Sequence, residues 1–190
     1  MKQPPPEHLP LSGMQAEAFF TKQADAYSCG PACVASAAKL YGKTNVVYDD
    51  VRRQLSPDPV IGSKNEDVAE LCKNRLPFSS AGENTYTGGV AIANIIQDEG
   101  HYVLFLKQEG DDIVYYDPYH HELVVDKLNQ VEWISESGHL KNWSINLQPL
   151  PDDFAAKTIA DWRKMATTPG TAPQTNNTHT VHTAAKPPRP

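Results

Sequence analysis

The stretch QADAYSCGPACVASAAKLYG, Gln23 to Gly42, decides the fold. It starts polar and turn-rich, stops at a cysteine, and continues as a run of small helix formers. Pro31 falls in the first turn of that run, where a missing N–H costs nothing. Gly42 supplies a C-terminal stop. The spacing predicts a helix from Cys29 to about Tyr41, so a thiol stands where a helix begins. There it faces unsatisfied backbone N–H groups and the positive end of the macrodipole, which favour thiolate over thiol. The thiolate is the nucleophilic form. Gly30 leaves the approach to the sulfur uncluttered. The rival reading is a small buried cysteine, which gains nothing from this placement.

Downstream, a short helix is expected over Tyr48–Leu55, ending at an SPDP turn. SKNEDVAELCKNRL reads as a helix with Ser63 and Glu66 at capping-box spacing. TGGVAIANIIQDEG is an apolar run that fits helix or buried strand equally. HYVLFLKQ and IVYYDP, rich in β-branched and aromatic residues, flank the turn EGDD and read as a hairpin. ELVVD and NWSINL are two more strands, with a short helix at KLNQVEWIS between them. PDDFAAKTIADWRKMA reads as one acid-started closing helix. Helices first and an antiparallel sheet after them give an α+β class. Trp133, Trp143 and Trp162 are expected in packing roles, and Tyr86–Gly89 as a plain loop.

The 190 residues fit one domain with tails. Residues 1–15 are a Pro-rich arm, 16–166 the folded domain, and 167–190 a Pro/Thr-rich tail that cannot offset its ordering entropy. The net charge is −6 with Lys and Arg scattered, which argues against nucleic-acid binding. No apolar run approaches the roughly 20 residues a membrane span needs. MKQPPPEHLP has no apolar signal core, so the chain is expected to be made in the cytoplasm without a cleavable signal. Export by a dedicated machine stays open.

A nucleophilic thiol needs a base, an orienter for the base, and donors for the oxyanion. His101 opens the first hairpin strand and Asp117 ends the second, so the hairpin makes them neighbours at its open end. Pro118 biases Asp117 toward extended backbone. A carboxylate there holds an imidazole in one tautomer and stabilises its protonated form. His120 and His121 compete as the base but read as surface loop residues; His139 lies in another loop. Gln23, six residues before Cys29, is placed to bring a side-chain amide beside the sulfur, with the Cys29 N–H as second oxyanion donor.

Gln23, Ser-Cys-Gly at 28–30, the Ala-rich helix, Gly-His-Tyr-Val at 100–103 and Asp-Pro at 117–118, in that order, resemble the papain-like bacteriocin-processing cysteine peptidase family over residues 16–147. Those domains cut peptides after a double-glycine leader, many of them as the N-terminal part of an export transporter. The resemblance implies Cys29 as nucleophile, His101 as general base and acid, Asp117 as orienter and Gln23 as oxyanion donor. It further implies a papain-like fold, with the nucleophile's helix on an antiparallel sheet, a peptide or protein substrate, and no cofactor or metal. Two departures bear on specificity and setting. Ser28 stands where the family often has Asp. Transporter segments are absent, and similar freestanding domains act as antibacterial toxins delivered by type VI and related secretion systems. That setting implies a cognate immunity protein as partner.

Other readings stay open at the sequence level. The same triad serves amidases, glutamine deamidases and acyltransferases. A non-catalytic interaction domain would keep the scaffold alone. A zinc module would use Cys29, Cys33, Cys72 and a histidine, although tight cysteine pairs are missing. Otherwise Cys33 and Cys72 are small core residues.

Overall fold

The computed structural model describes residues 4–96, 100–132 and 143–167. In chain order the elements are β1 (Glu7–Pro10), α1 (Gly13–Phe19), α2 (Cys29–Leu40), α3 (Tyr48–Leu55) and α4 (Asn65–Arg75). Then come β2 (Phe78–Glu83), β3 (Ala91–Ile95), β4 (His101–Glu109), β5 (Asp112–Asp117), β6 (Glu122–Lys127), β7 (Trp143–Leu147), α5 (Asp152–Ala155) and α6 (Ile159–Thr167). The sheet order is β1-β6-β5-β4-β3-β7-β2, antiparallel at every step. The class is α+β. None of the described helices is long and apolar enough to cross a membrane.

The sequence of α2 explains its place. Eleven of its twelve residues are buried, leaving Lys39 exposed. A helix apolar on all sides is a central helix, and this one packs on β4, α3 and α4. Its small residues permit close approach. A Cβ on Gly30 would meet Ser63 Oγ and Tyr102 Cδ2, each at 3.3 Å. On the helix-bearing side of the sheet the core includes Val34, Leu104, Tyr116 and Trp162. A smaller apolar cluster containing Val103, Phe105, Ile113 and Tyr115 belongs to the opposite side.

The β4–β5 hairpin carries a one-residue register shift between Phe105 and Lys107. Near the turn Lys107 faces Val114; beyond the shift Leu104 faces Tyr116. Side chains alternate along a strand, so one unpaired residue exchanges the faces of everything past it. Without the shift His101 and Asp117 would point to opposite sides. With it they share one.

Several expectations are corrected. Residues 7–10, read within an N-terminal arm, form the edge strand β1 on β6. Ser63 does not cap α4: Lys64 is the N-cap, and Ser63 Oγ is turned in against Gly30 without a partner. The ambiguous apolar run is strand β3, and FSSAGE, not expected as a strand, pairs with β7 as β2. The closing helix is two helices. Thr158 interrupts it, because Asp161 Oδ2 accepts from Thr158 N at 3.0 Å and Oγ1 at 2.8 Å, while Asp161 N donates back to Thr158 Oγ1 at 3.2 Å. That reciprocal box starts α6 afresh. At KLNQVEWIS a single 3-10 turn covers Leu128–Gln130, and the rest of that segment from Trp133, with His139, lies outside the described residues. Trp143 and Trp162 are buried, and Trp162 stacks on Phe154 with ring centroids 6.0 Å apart.

Candidate active site

Cys29 is the first residue of α2 and lies 6% exposed. Its position is fixed by a loop that α3 braces. Tyr48 and Arg52, one helical turn apart on α3, reach the same stretch. The Tyr48 hydroxyl accepts from Ala24 N at 2.9 Å and shares a hydrogen bond with Ser28 Oγ at 2.8 Å. Arg52 donates to Asp25 Oδ2 at 2.6 Å. Burial alone would raise the Asp25 carboxyl; hydrogen bonds from Ser28, Arg52 and Tyr27 hold it below its ordinary range. Asp25, Tyr48 and Arg52 escaped the sequence reading. The only trace of them is a four-residue spacing on α3, common to any helix face.

His101 begins β4 and is buried. Its Nε2 and Asp117 Oδ1 are 2.8 Å apart. Cys29 is the other neighbour of that imidazole, near enough to help raise its pKa. With Nε2 committed to the carboxylate, Nδ1 is the nitrogen left for the sulfur. The next residue contributes too: Tyr102 N–H donates to Cys29 Sγ at 3.5 Å. Burial pulls the His101 pKa down, but Asp117 and Cys29 more than reverse it, raising it from 6.5 to about 9. Burial would likewise raise the Asp117 carboxyl. His101, His120 and the Tyr119 N–H instead hold it far below the usual carboxylate range. At neutral pH the pair is imidazolium and carboxylate.

Asp117 is aimed by its own turn, since Oδ1 accepts from Tyr119 N at 2.8 Å. Its second oxygen, Oδ2, lies 2.8 Å from His120 Nδ1. His120 was read as a plain surface residue; half-exposed, it nonetheless grips the carboxylate. His121 is turned to Tyr116, with Nδ1 2.8 Å from the hydroxyl.

Gln23 is buried, and its N–H donates to Pro118 O at 3.1 Å, beside Asp117. Its side-chain Nε2 donates to Asp25 O at 2.6 Å, and Oε1 is buried without a partner. The four sequence-picked residues thus fall in one region: His101 stands between Asp117, which it hydrogen-bonds, and Cys29, and Gln23 is tied to the residue after Asp117.

A cleft of about 700 Å³ opens beside Cys29. Gly100, Tyr102, Ser63 and Asn94 lie along it, with Val60 and Ile61 at its lip. Asp58 fixes that lip: Oδ1 accepts from Val60 N at 2.7 Å and Ile61 N at 3.1 Å. Both aliphatic side chains are left largely exposed.

The three cysteines are free and buried. Cys33 donates to Tyr102 O at 3.3 Å. Burial pushes the Cys33 and Cys72 thiols up, keeping both protonated. Among the described residues the thiols form no group of metal-ligand geometry, so a zinc module built on them is not what the chain folds into.

No family model matches the chain, and no curated protein matches it. Among solved structures it is similar to the peptidase domain of Streptococcus ComA, a bi-functional ABC transporter involved in a quorum-sensing pathway. The superposition has a TM-score of 0.50 at 19% identity and covers 69% of this chain and 99% of that one. The chain therefore shares its α+β fold with a peptidase domain.

Proposed function

We propose that this chain is a papain-like cysteine peptidase that hydrolyses peptide bonds of a protein or peptide substrate. The observation that carries the reading is the line Asp117–His101–Cys29 at the start of α2. One imidazole is held by a buried carboxylate at 2.8 Å and has the Cys29 thiol as its other neighbour. Likeness in fold to a peptidase domain supports it.

The chemistry follows from that line. Cys29, as thiolate, attacks the substrate carbonyl carbon, forming an S–C bond and a tetrahedral oxyanion. The Cys29 N–H and the Gln23 amide donate to that oxyanion, for which the side chain turns from Asp25 O. His101 passes its proton to the leaving nitrogen as the C–N bond breaks. Water, deprotonated by His101, then releases the acyl group from sulfur. Asp117 keeps the imidazole's orientation and stabilises its charge throughout.

The test is a proteome-wide search for new N-termini after treatment with wild type or Cys29→Ala. Wild-type-specific termini establish the peptidase and name its substrate, and paired glycines before the cut establish double-glycine specificity. Deamidated glutamines without new termini would move the same triad to amidase chemistry and overturn the proposal.

A further inference from the structure

On the face that His101 and Asp117 share, two more polar residues line up along the sheet. Asp117 is the cross-strand partner of Glu122, and Glu122 that of Pro10. His8, two residues before Pro10, therefore stands on the same side as Glu122. Like charges directly opposite on neighbouring strands repel. Here both carboxylates are buried, their side chains 2% and 10% exposed.

The groups that answer these two charges are imidazoles. His120 Nδ1 lies 2.8 Å from Asp117 Oδ2 and 3.9 Å from Glu122 Oε1. His8 Nδ1 lies 2.7 Å from Glu122 Oε1. The ligand atoms of Asp117, His120 and Glu122 all fall within 4.8 Å of one another. A divalent cation would answer both carboxylates at once.

We propose that Asp117, His120 and Glu122 form a binding site for a zinc-class divalent cation. One imidazole and two carboxylates, with a water as fourth ligand, make the mixed nitrogen and oxygen set that such ions take, at about 2.0–2.2 Å per ligand. The cation replaces the proton between His120 Nδ1 and Asp117 Oδ2, and those atoms part to roughly 3.3 Å, a tetrahedral edge. His120 and His8 are about half exposed, which gives the ion a way in. Binding has a consequence that rests on the peptidase reading. Metal on Oδ2 draws charge from the carboxylate whose Oδ1 holds His101, so zinc slows the enzyme and chelation restores it.

The test titrates zinc against a chromophoric chelator with the full chain, wild type and variants, all checked for folding by circular dichroism. The obvious competing site is the Cys29 thiol, so Cys29→Ala is the control. The expected result is zinc binding unchanged in Cys29→Ala and weakened at least tenfold, about the loss typical of a removed ligand shell, in His120→Ala and Glu122→Gln. Should Glu122→Gln fail to fold, His120→Ala, at a half-exposed position, carries the test. Zinc lost with Cys29→Ala, unaffected by His120→Ala, or not held against the chelator by wild type overturns the proposal. Binding is read without turnover. A chain that binds zinc as expected yet cuts nothing keeps the metal site and sinks the peptidase reading alone.

Discussion

Asp117→Asn removes a charge while keeping shape and hydrogen-bonding capacity. His101 titrates at about 9 against an ordinary 6.5, and among the influences that raise it the Asp117 hydrogen bond is the largest. That gap is worth about 3 kcal/mol of preference for the charged ring. Burial, which works the other way, remains after the substitution. The His101 pKa should fall by about two units or more, to below about 7. The assay is a ring-nitrogen NMR titration of histidine-labelled protein, with His101→Gln assigning the signal. Stability follows with a definite sign. A raised histidine pKa contributes stability that is complete below 6.5 and lost as pH climbs through about 9. The depressed Asp117 contributes stability present above 3.8 and lost as pH falls through its lower folded value. Both windows describe one interaction. The urea-denaturation gap between wild type and Asp117→Asn should be widest between about pH 4 and 6.5 and close toward pH 9. A His101 signal that titrates within about half a unit of wild type in Asp117→Asn would refute the claim that this carboxylate charges the ring.

Three further outcomes are expected. Gln23→Ala should lower kcat on a cleaved peptide by about 10²–10³ with little change in KM, as loss of one oxyanion donor does. Thr158→Ala removes the cap that restarts α6 and should cost about 1 kcal/mol in thermal or chemical denaturation, with kcat unchanged. Serine at both Val60 and Ile61 should raise KM several-fold and leave Tm unmoved, since these side chains line the cleft but are 78% and 69% exposed.

Much of this site could be read from the chain because local signals and tertiary structure agree there. Pro31 and Gly42 bracket α2, and β-branched and aromatic residues mark β4 and β5. Where the two disagree, reading failed. Ser63 has the spacing of a helix cap, yet packing against Gly30 claims it. FSSAGE carries weak strand propensity and becomes β2 because β7 offers it a partner. Thr158 and Asp161 look like ordinary helix-interior residues until each is seen to satisfy the other's backbone. His120 looked like a solvated loop residue because nothing in DPYHHEL says that the turn folds back onto its own aspartate. The shift at Phe105–Lys107 leaves no compositional mark at all, although the meeting of His101 with Asp117 depends on it.

That shift makes the hairpin's length a matter of odd and even. Losing or gaining one codon within the paired strands between His101 and Asp117, with neither turn nor bulge taking it up, would swing the carboxylate to the wrong side of the ribbon. Changes of two codons keep the pair on one face. Single-residue drift should therefore collect in the turn, and hairpins transplanted from a protein without the bulge should arrive inert unless their register is corrected.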